Sequence, residues 1–267
     1  MKRSKKLKIL LANPFSTVLK GIFAQSEEMY KKLLIKDNKI DKLPTIDLLE
    51  LFPHFEDTLS TYSYLAGTSL ATDLILLKKF AEGFPACNYL EIGTWRGESL
   101  KNVSEVAAHC TSVTLPPDEM IIKHKDKDFN EIHGFFSRNI NNMTEILHNS
   151  HTYDFNQFKQ KFDLIFIDGD HSYEGVLNDT RKTFNLRKDS SSIIVWHDYG
   201  FTTERIRYST LKAIIDGIPT EYHKNLYHIS NTMCAVYMEN NSLPTYESRF
   251  PATPNKIFSV ELKAKKL

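Results

Sequence analysis

"YLEIGTWRGES", residues 89–99, runs from an apolar stretch into an acid, two glycines and a polar pair. The apolar stretch reads as a strand ending in a turn, and "ESLKNVSEVAAH" (98–109) reads as the helix that follows. Gly93 lets backbone approach a ligand closely, and Gly97 allows a tight entry into the helix. In open α/β sheets the ligand lies beyond the carboxyl ends of the strands, so a cofactor is expected over this turn. The spacing is neither the G-x-G-x-x-G of a dinucleotide fold nor the G-x-x-x-x-G-K-[ST] of a phosphate loop. Glu91 would repel a phosphate but suits a ligand carrying positive charge. S-adenosylmethionine has an ammonium and a sulfonium, and its carboxylate could meet Arg96 or the amides at the helix start. The plainer alternative is a turn that only joins strand to helix, with Glu91 paired to a lysine.

Outward from this turn, short β-rich runs alternate with helical stretches, the pattern of a parallel sheet covered by helices. Strands are expected at "CNYLEIG" (87–93), "CTSVTL" (110–115), "MTEIL" (143–147), "KFDLIFIDGD" (161–170) and "SSIIVWHD" (191–198). The run at 161–170 is apolar on both faces and so central. Helices are expected over about 174–187 and 207–217, and "LYHIS" and "TMCAVYM" read as a closing antiparallel pair. Residues 118–140 read as a long loop. The domain reading is a helical cap over 1–85, the main α/β domain over 86–240 and a tail over 241–267.

With 34 basic and 33 acidic residues, the chain of 267 has a formal charge of +1, which argues against a general nucleic-acid or membrane surface. The basic ends "MKRSKKLK" and "ELKAKKL" read as solvated termini. Cys87, Cys110 and Cys234 form no C-x-x-C pair, and an odd number argues against a disulfide framework. Asn13 and Pro14 interrupt the apolar part of a basic N-terminus that imitates a signal peptide, and no run is long enough to span a bilayer. These features together lead to the expectation of a cytoplasmic protein.

"LIFIDGDH" and "IIVWHD" both end in polar residues, and strand ends on one edge of a parallel sheet converge. Asp168, Asp170, His171, His197 and Asp198 are therefore expected near one another. Carboxylates with an imidazole could ligate a divalent ion: oxygen favours magnesium, calcium or manganese, while imidazole admits manganese, iron or zinc. His171 or His197 could instead serve as a general base without a metal. Singly, each has a structural reading, the aspartates as caps and His197 as a satisfied, partly buried imidazole. Tyr173, Trp196 and Tyr199 beside the cluster could wall a substrate site or simply pack.

"YLEIGTWRGES", "KFDLIFIDGDHSYEGVLNDT" and "IIVWHDYG", in that order, resemble the class I S-adenosylmethionine-dependent methyltransferases. The branch most similar is that of metal-dependent small-molecule and sugar O-methyltransferases, whose closing strands "HISNTMCAVYM" fits. The resemblance implies a Rossmann-like, seven-stranded, mostly parallel sheet with an N-terminal helical cap. It implies that Glu91, Gly93, Thr94 and Gly97 line the methionine end of the cofactor, that Asn149 and Ser150 approach the adenine, and that Asp168 also borders the cofactor. Asp168, His197 and Asp198 fall on the three metal-ligand positions, for magnesium or manganese, His197 standing where a carboxylate or amide is usual. The acceptor would be a small-molecule hydroxyl, on a sugar or glycan precursor. One departure is Leu115, followed by two prolines, where the family has an acid for the ribose hydroxyls; Asp118 or Glu119 could substitute. Two other readings stay open: a metal-dependent hydrolase or hydroxylase using the Asp and His cluster without S-adenosylmethionine, and a non-catalytic module that only binds it.

Overall fold

A computed structural model of the chain describes residues 14–124 and 129–266; the basic N-terminal run read as a solvated terminus lies outside them. The sheet is built on β2 (Asn88–Ile92), β3 (His109–Thr114), β4 (Met143–Leu147), β5 (Leu164–Ile167), β6 (Ile193–Trp196), β9 (Leu226–Ile229) and β10 (Ala235–Tyr237). Two further strands, β1 (Thr45–Ile46) and β11 (Thr245–Tyr246), join it, and a separate ribbon pairs β7 (Gly200–Thr202) with β8 (Arg205–Ile206). The order is β11-β1-β9-β10-β6-β5-β2-β3-β4, so the sheet has nine strands where seven were expected. The additional two continue the sheet past β9: β1 pairs parallel with β9, and β11 antiparallel with β1. Segments of two residues carry no readable periodicity, and they form because they satisfy the backbone edge that β9 would otherwise expose.

Strands β4, β3, β2, β5 and β6 are parallel, and β10 runs antiparallel to both β6 and β9. The four residues of β5 are all buried, as the doubly apolar run requires of a central strand. Leu90, Ile92, Ile165, Ile167, Ile194 and Trp196 face a core shared with Val176 and Leu211 of the helices α7 (Tyr173–Thr183) and α8 (Tyr208–Gly217). Tyr89, Leu164, Phe166 and Val195 face the other, against α3 (Ala71–Glu82) and α4 (Glu98–Val103). Ser172 caps α7 by accepting from the Gly175 amide at 3.1 Å.

Residues 14–85 are mostly helical or irregular and include the short helix α2 (Leu48–Leu51). Helix α1 (Pro14–Leu33) packs on α8, whose first turn is capped by Glu27: the Tyr208 amide donates to Oε2 at 2.6 Å and the Ser209 hydroxyl to Oε1 at 2.5 Å. The expected long loop over 118–140 contains the short helices α5 (Pro117–His124) and α6 (Phe129–Ile132). No helix among the described residues is long and apolar enough to cross a membrane.

Candidate active site

Chain order in the sheet reverses between β2 and β5: from β2 the chain moves outward to β3 and β4, then returns to β5 on the other side. Such a switch point opens a crevice at the strand carboxyl ends. Ile92 pairs with Ile167, and Ile167 with Trp196, so Gly93, Asp168 and His197 follow directly at one edge. The Asp168 amide donates to the Ile92 carbonyl at 2.9 Å and the His197 amide to the Ile167 carbonyl at 3.1 Å, holding the three strand ends together.

Gly93 has φ +94°, and an added Cβ would lie 2.5 Å from the Gly169 Cα, so its glycine is required by packing between the two turns. Gly97 has φ +83°, and its Cβ would meet the Ser137 hydroxyl at 2.6 Å. Thr94 faces β3: its amide donates to the Thr114 hydroxyl at 3.2 Å and its own hydroxyl lies 2.7 Å from that of Ser112. Arg96 donates to the Ala66 carbonyl at 2.8 Å, and Glu98 accepts from the Ser63 amide and the Thr68 hydroxyl. Those bonds fasten the loop around 60–68 against the turn after β2.

Glu91 is buried, with Oε2 accepting from the Tyr89 hydroxyl at 2.6 Å and Oε1 from the Ser99 hydroxyl at 2.9 Å. Burial outweighs those two donors and raises its pKa to about 8, so in the absence of a cationic ligand it is protonated at neutral pH. Among the described residues it pairs with no lysine. Asn149 closes a local turn by accepting from the His151 amide at 2.9 Å, and the Ser150 carbonyl accepts from Lys182 at 2.7 Å. Asp118 and Glu119 are exposed in the first turn of α5, just beyond β3.

The acid and histidine cluster assembles at the ends of β5 and β6. One ligand atom each from Asp168, His197 and Asp198 lies within 4.8 Å of the other two. His197 Nδ1 is 3.2 Å from Asp168 Oδ1 and 3.7 Å from Asp198 Oδ1. His171 Nδ1 is 2.8 Å from Asp198 Oδ2, and its Nε2 is 3.5 Å from Asp168 Oδ1. Burial would lower the His171 pKa, but the two carboxylates raise it to about 9, and burial likewise opposes a rise at His197 that Asp168 and its neighbours impose. Burial alone would raise Asp198, yet the two imidazoles hold it well below the usual carboxylate range. Asp198 also has φ +55°, left-handed backbone that an aspartate tolerates better than most residues. Asp170 is spent on the turn before α7, accepting from the Ser172 amide at 2.8 Å.

The neighbouring aromatics divide. Trp196 is fully buried and donates to the Thr180 hydroxyl at 2.9 Å, and Tyr199 is buried with its hydroxyl accepting from the Leu43 amide, so both pack rather than line a substrate site. Tyr173, partly exposed, stacks on Tyr30 with centroids 5.1 Å apart. A groove of about 530 Å³ runs along α1, lined in part by Glu28, Met29 and Lys32; it contains no residue of the cluster or the turn.

Asp73 is the residue the sequence did not reveal. It sits in the first turn of α3, buried, with Oδ2 3.2 Å from His197 Nε2. An acid in a first helical turn reads as a cap, which Asp73 also is, accepting from the Leu70 amide at 2.9 Å. Nothing local signals its second partner, 124 positions away.

The reversed strand order and the turn after its first strand define an open, Rossmann-like α/β sheet with a crevice at the strand carboxyl ends. Residues 90–199, from β2 to just past β6, match the family described as a methyltransferase domain. That match spans less than half of the chain. Among solved structures, a Staphylococcus aureus protein assigned as a caffeoyl-CoA O-methyltransferase is similar at 17% identity and TM-score 0.46, with 72% of this chain and 97% of that one covered. A Klebsiella pneumoniae protein assigned as an O-methyltransferase is similar at 13% and 0.45, covering 64% and 81%. A Bacillus cereus O-methyltransferase in complex with SAH is similar at 14% and 0.43, covering 64% and 82%. No curated protein sequence is significantly similar.

Proposed function

We propose that the chain transfers the methyl group of S-adenosylmethionine to a hydroxyl of a small molecule. The observation that carries this reading is the convergence of Asp168, His197 and Asp198 at the edge where Gly93 packs against the Asp168 backbone. A hydroxyl is a poor nucleophile until its proton is withdrawn, and this cluster lies one strand from the cofactor turn.

Glu91, Gly93, Thr94 and Gly97 form the methionine end of the donor site in this proposal, with Glu91 ionising to meet the ligand's ammonium. Asn149 and Ser150 border the adenine, and Asp168 stands between donor and cluster. Without a metal, the acceptor proton would pass to an imidazole in its neutral form, His171 at the exposed side or His197 at the buried side. His197 Nδ1 is buried without a hydrogen-bond partner among the described residues, in a setting of two carboxylates, and that donor set fits a divalent cation. Bound there by Asp168, His197 and Asp198, magnesium or manganese would lower the pKa of the acceptor hydroxyl. The narrower assignment of a sugar or glycan precursor as acceptor draws on the resemblance of the three sequence blocks.

We read residues 86–240 as the catalytic domain, 1–85 as a cap and 241–267 as a tail; the bonds from Arg96 and Glu98 to the loop around 60–68 support a cap that borders the donor site. The three cysteines are free thiols, in keeping with a cytoplasmic setting. The deciding experiment is calorimetric titration with S-adenosylhomocysteine, followed by a methyl-transfer assay over a panel of sugars and phenols. Micromolar binding (about −8 kcal/mol) and transfer to a hydroxyl support the reading. Failure to bind would transfer the cluster to a hydrolase or hydroxylase, and binding without transfer to any acceptor would favour a non-catalytic module.

A further inference from the structure

His197 lies between two carboxylate environments. On one side Nε2 meets Asp73 Oδ2 in hydrogen-bond geometry at 3.2 Å. On the other, Nδ1 is 3.2 Å from Asp168 Oδ1 but is not in hydrogen-bond geometry with any acceptor among the described residues. A nitrogen that close to an oxygen and not aligned with it has the arrangement of two ligands directed at a common third atom. Asp73 is itself fixed: Oδ1 accepts from the Met233 amide at 2.9 Å and Oδ2 from the Leu70 amide at 2.9 Å. These bonds tie it to the start of α3 and to the approach to β10. Phe166 packs its ring against the imidazole, centroids 6.0 Å apart at 76°, restricting rotation about the ring axis.

We infer that Asp73 is a positioning residue that holds the His197 proton on Nε2 and leaves Nδ1 as a nitrogen ligand, so that Asp168, His197 and Asp198 select manganese over magnesium. This rests on the proposed metal site. An imidazole whose far nitrogen donates to an anchored carboxylate has its tautomer and ring orientation fixed, and such outer partners typically affect metal affinity about 10–100-fold. Nitrogen in the ligand set favours a first-row transition ion, whereas magnesium prefers oxygen alone. Asp73 comes from the segment before the matched domain, so the metal's nitrogen ligand is set by the N-terminal part of the chain.

The test is calorimetric titration of the chelator-treated full chain with manganese and with magnesium, for the unaltered protein and for Asp73→Asn. Manganese is expected to bind at least tenfold more tightly than magnesium, and Asp73→Asn to weaken manganese at least tenfold while S-adenosylhomocysteine binds as before. Manganese affinity unchanged in a folded Asp73→Asn protein overturns the role of Asp73. Equal affinity for the two ions overturns the selectivity. Binding of neither ion to the unaltered protein removes the metal site itself, and the inference with it. Nitrogen-15 imidazole spectra of the zinc-loaded unaltered protein, which do not depend on the variant folding, should show His197 protonated at Nε2 and zinc-bound at Nδ1; the opposite tautomer overturns the inference.

Discussion

A β-carbon added to Gly93 would stand 2.3 Å from the carbonyl oxygen of Asp168, so the turn after β2 meets the acid cluster by backbone contact. Gly93→Ala therefore forces the turn, the Asp168 backbone or both to move, on top of the unfavourable positive φ. We expect a stability loss of at least about 2 kcal/mol in urea unfolding, with S-adenosylhomocysteine affinity and methyl transfer falling together. A variant that lost only one of the two would separate sites that the geometry joins.

Glu91 makes the ligand-free protein sensitive to alkali. Its pKa of about 8 lies above the 4.5 of the free side chain, so the folded chain holds the proton more tightly than the unfolded one. That contribution is complete below about pH 4.5 and is lost as the pH rises through 8. Unfolding free energies measured between pH 5 and pH 9 (on the order of a few units apart) should fall with rising pH, and Glu91→Gln should flatten the fall.

On the proposed donor site, the same residue would couple cofactor binding to proton release. An ammonium favours ionised Glu91, so below pH 8 the donor's arrival expels a proton. Affinity for S-adenosylhomocysteine should then rise by up to about tenfold per pH unit toward pH 8 and level off beyond it. Calorimetry in buffers of different ionisation enthalpy reads the released proton directly. Glu91→Gln should abolish the release and weaken binding at least about tenfold.

Asp198→Asn keeps the size of the side chain and tolerates φ +55° while removing the charge that faces both imidazoles. Methyl transfer should drop by about a hundredfold or more, with S-adenosylhomocysteine affinity within about twofold. Retained activity would show that the cluster is structural.

Lys78 is buried on α3, donating to Asp57 Oδ1 at 3.0 Å and to the Thr58 carbonyl at 2.8 Å. Lys78→Met strands much of the Asp57 charge, relieved in part by Lys79 at 3.3 Å. Stability should fall by about 3 kcal/mol, read as a lower midpoint in thermal unfolding with little change in the kinetics of the folded enzyme.

The parallel core was legible because "LIFI" at 164–167 and "YLEI" at 89–92 are apolar at every position or nearly so, a pattern that only burial on two faces explains. The convergence of Asp168, His197 and Asp198 was legible for a related reason: residues at parallel strand ends inherit proximity from the register. Thr94 shows where such reading stops. A threonine after a turn glycine gives no sign of the neighbouring strand, yet its hydroxyl meets that of Ser112 on β3, a contact that depends on tertiary pairing. Asp73 was hidden because its helix cap and its bond to His197 use one carboxylate, and only the cap has a local signature. The strands at 45–46 and 245–246 are too short for alternation to register.

Those two strands also decide how small the protein can be made. β1 accepts amides from β9, with the His228 amide on the Pro44 carbonyl at 2.9 Å and the Ser230 amide on the Ile46 carbonyl at 3.0 Å, while β11 covers the other side of β1. Lys256 then reaches back to Asp47 at 2.7 Å, so the tail clasps the N-terminal segment just past the strand it protects. Trimming the chain to its matched stretch of 90–199, or even to 86–240, would leave unpaired the backbone edge these flanks close. An open sheet edge of that kind invites other chains to add on. The smallest piece that stays monodisperse is therefore set by where the sheet is sealed, and it is longer than the piece that carries the chemistry.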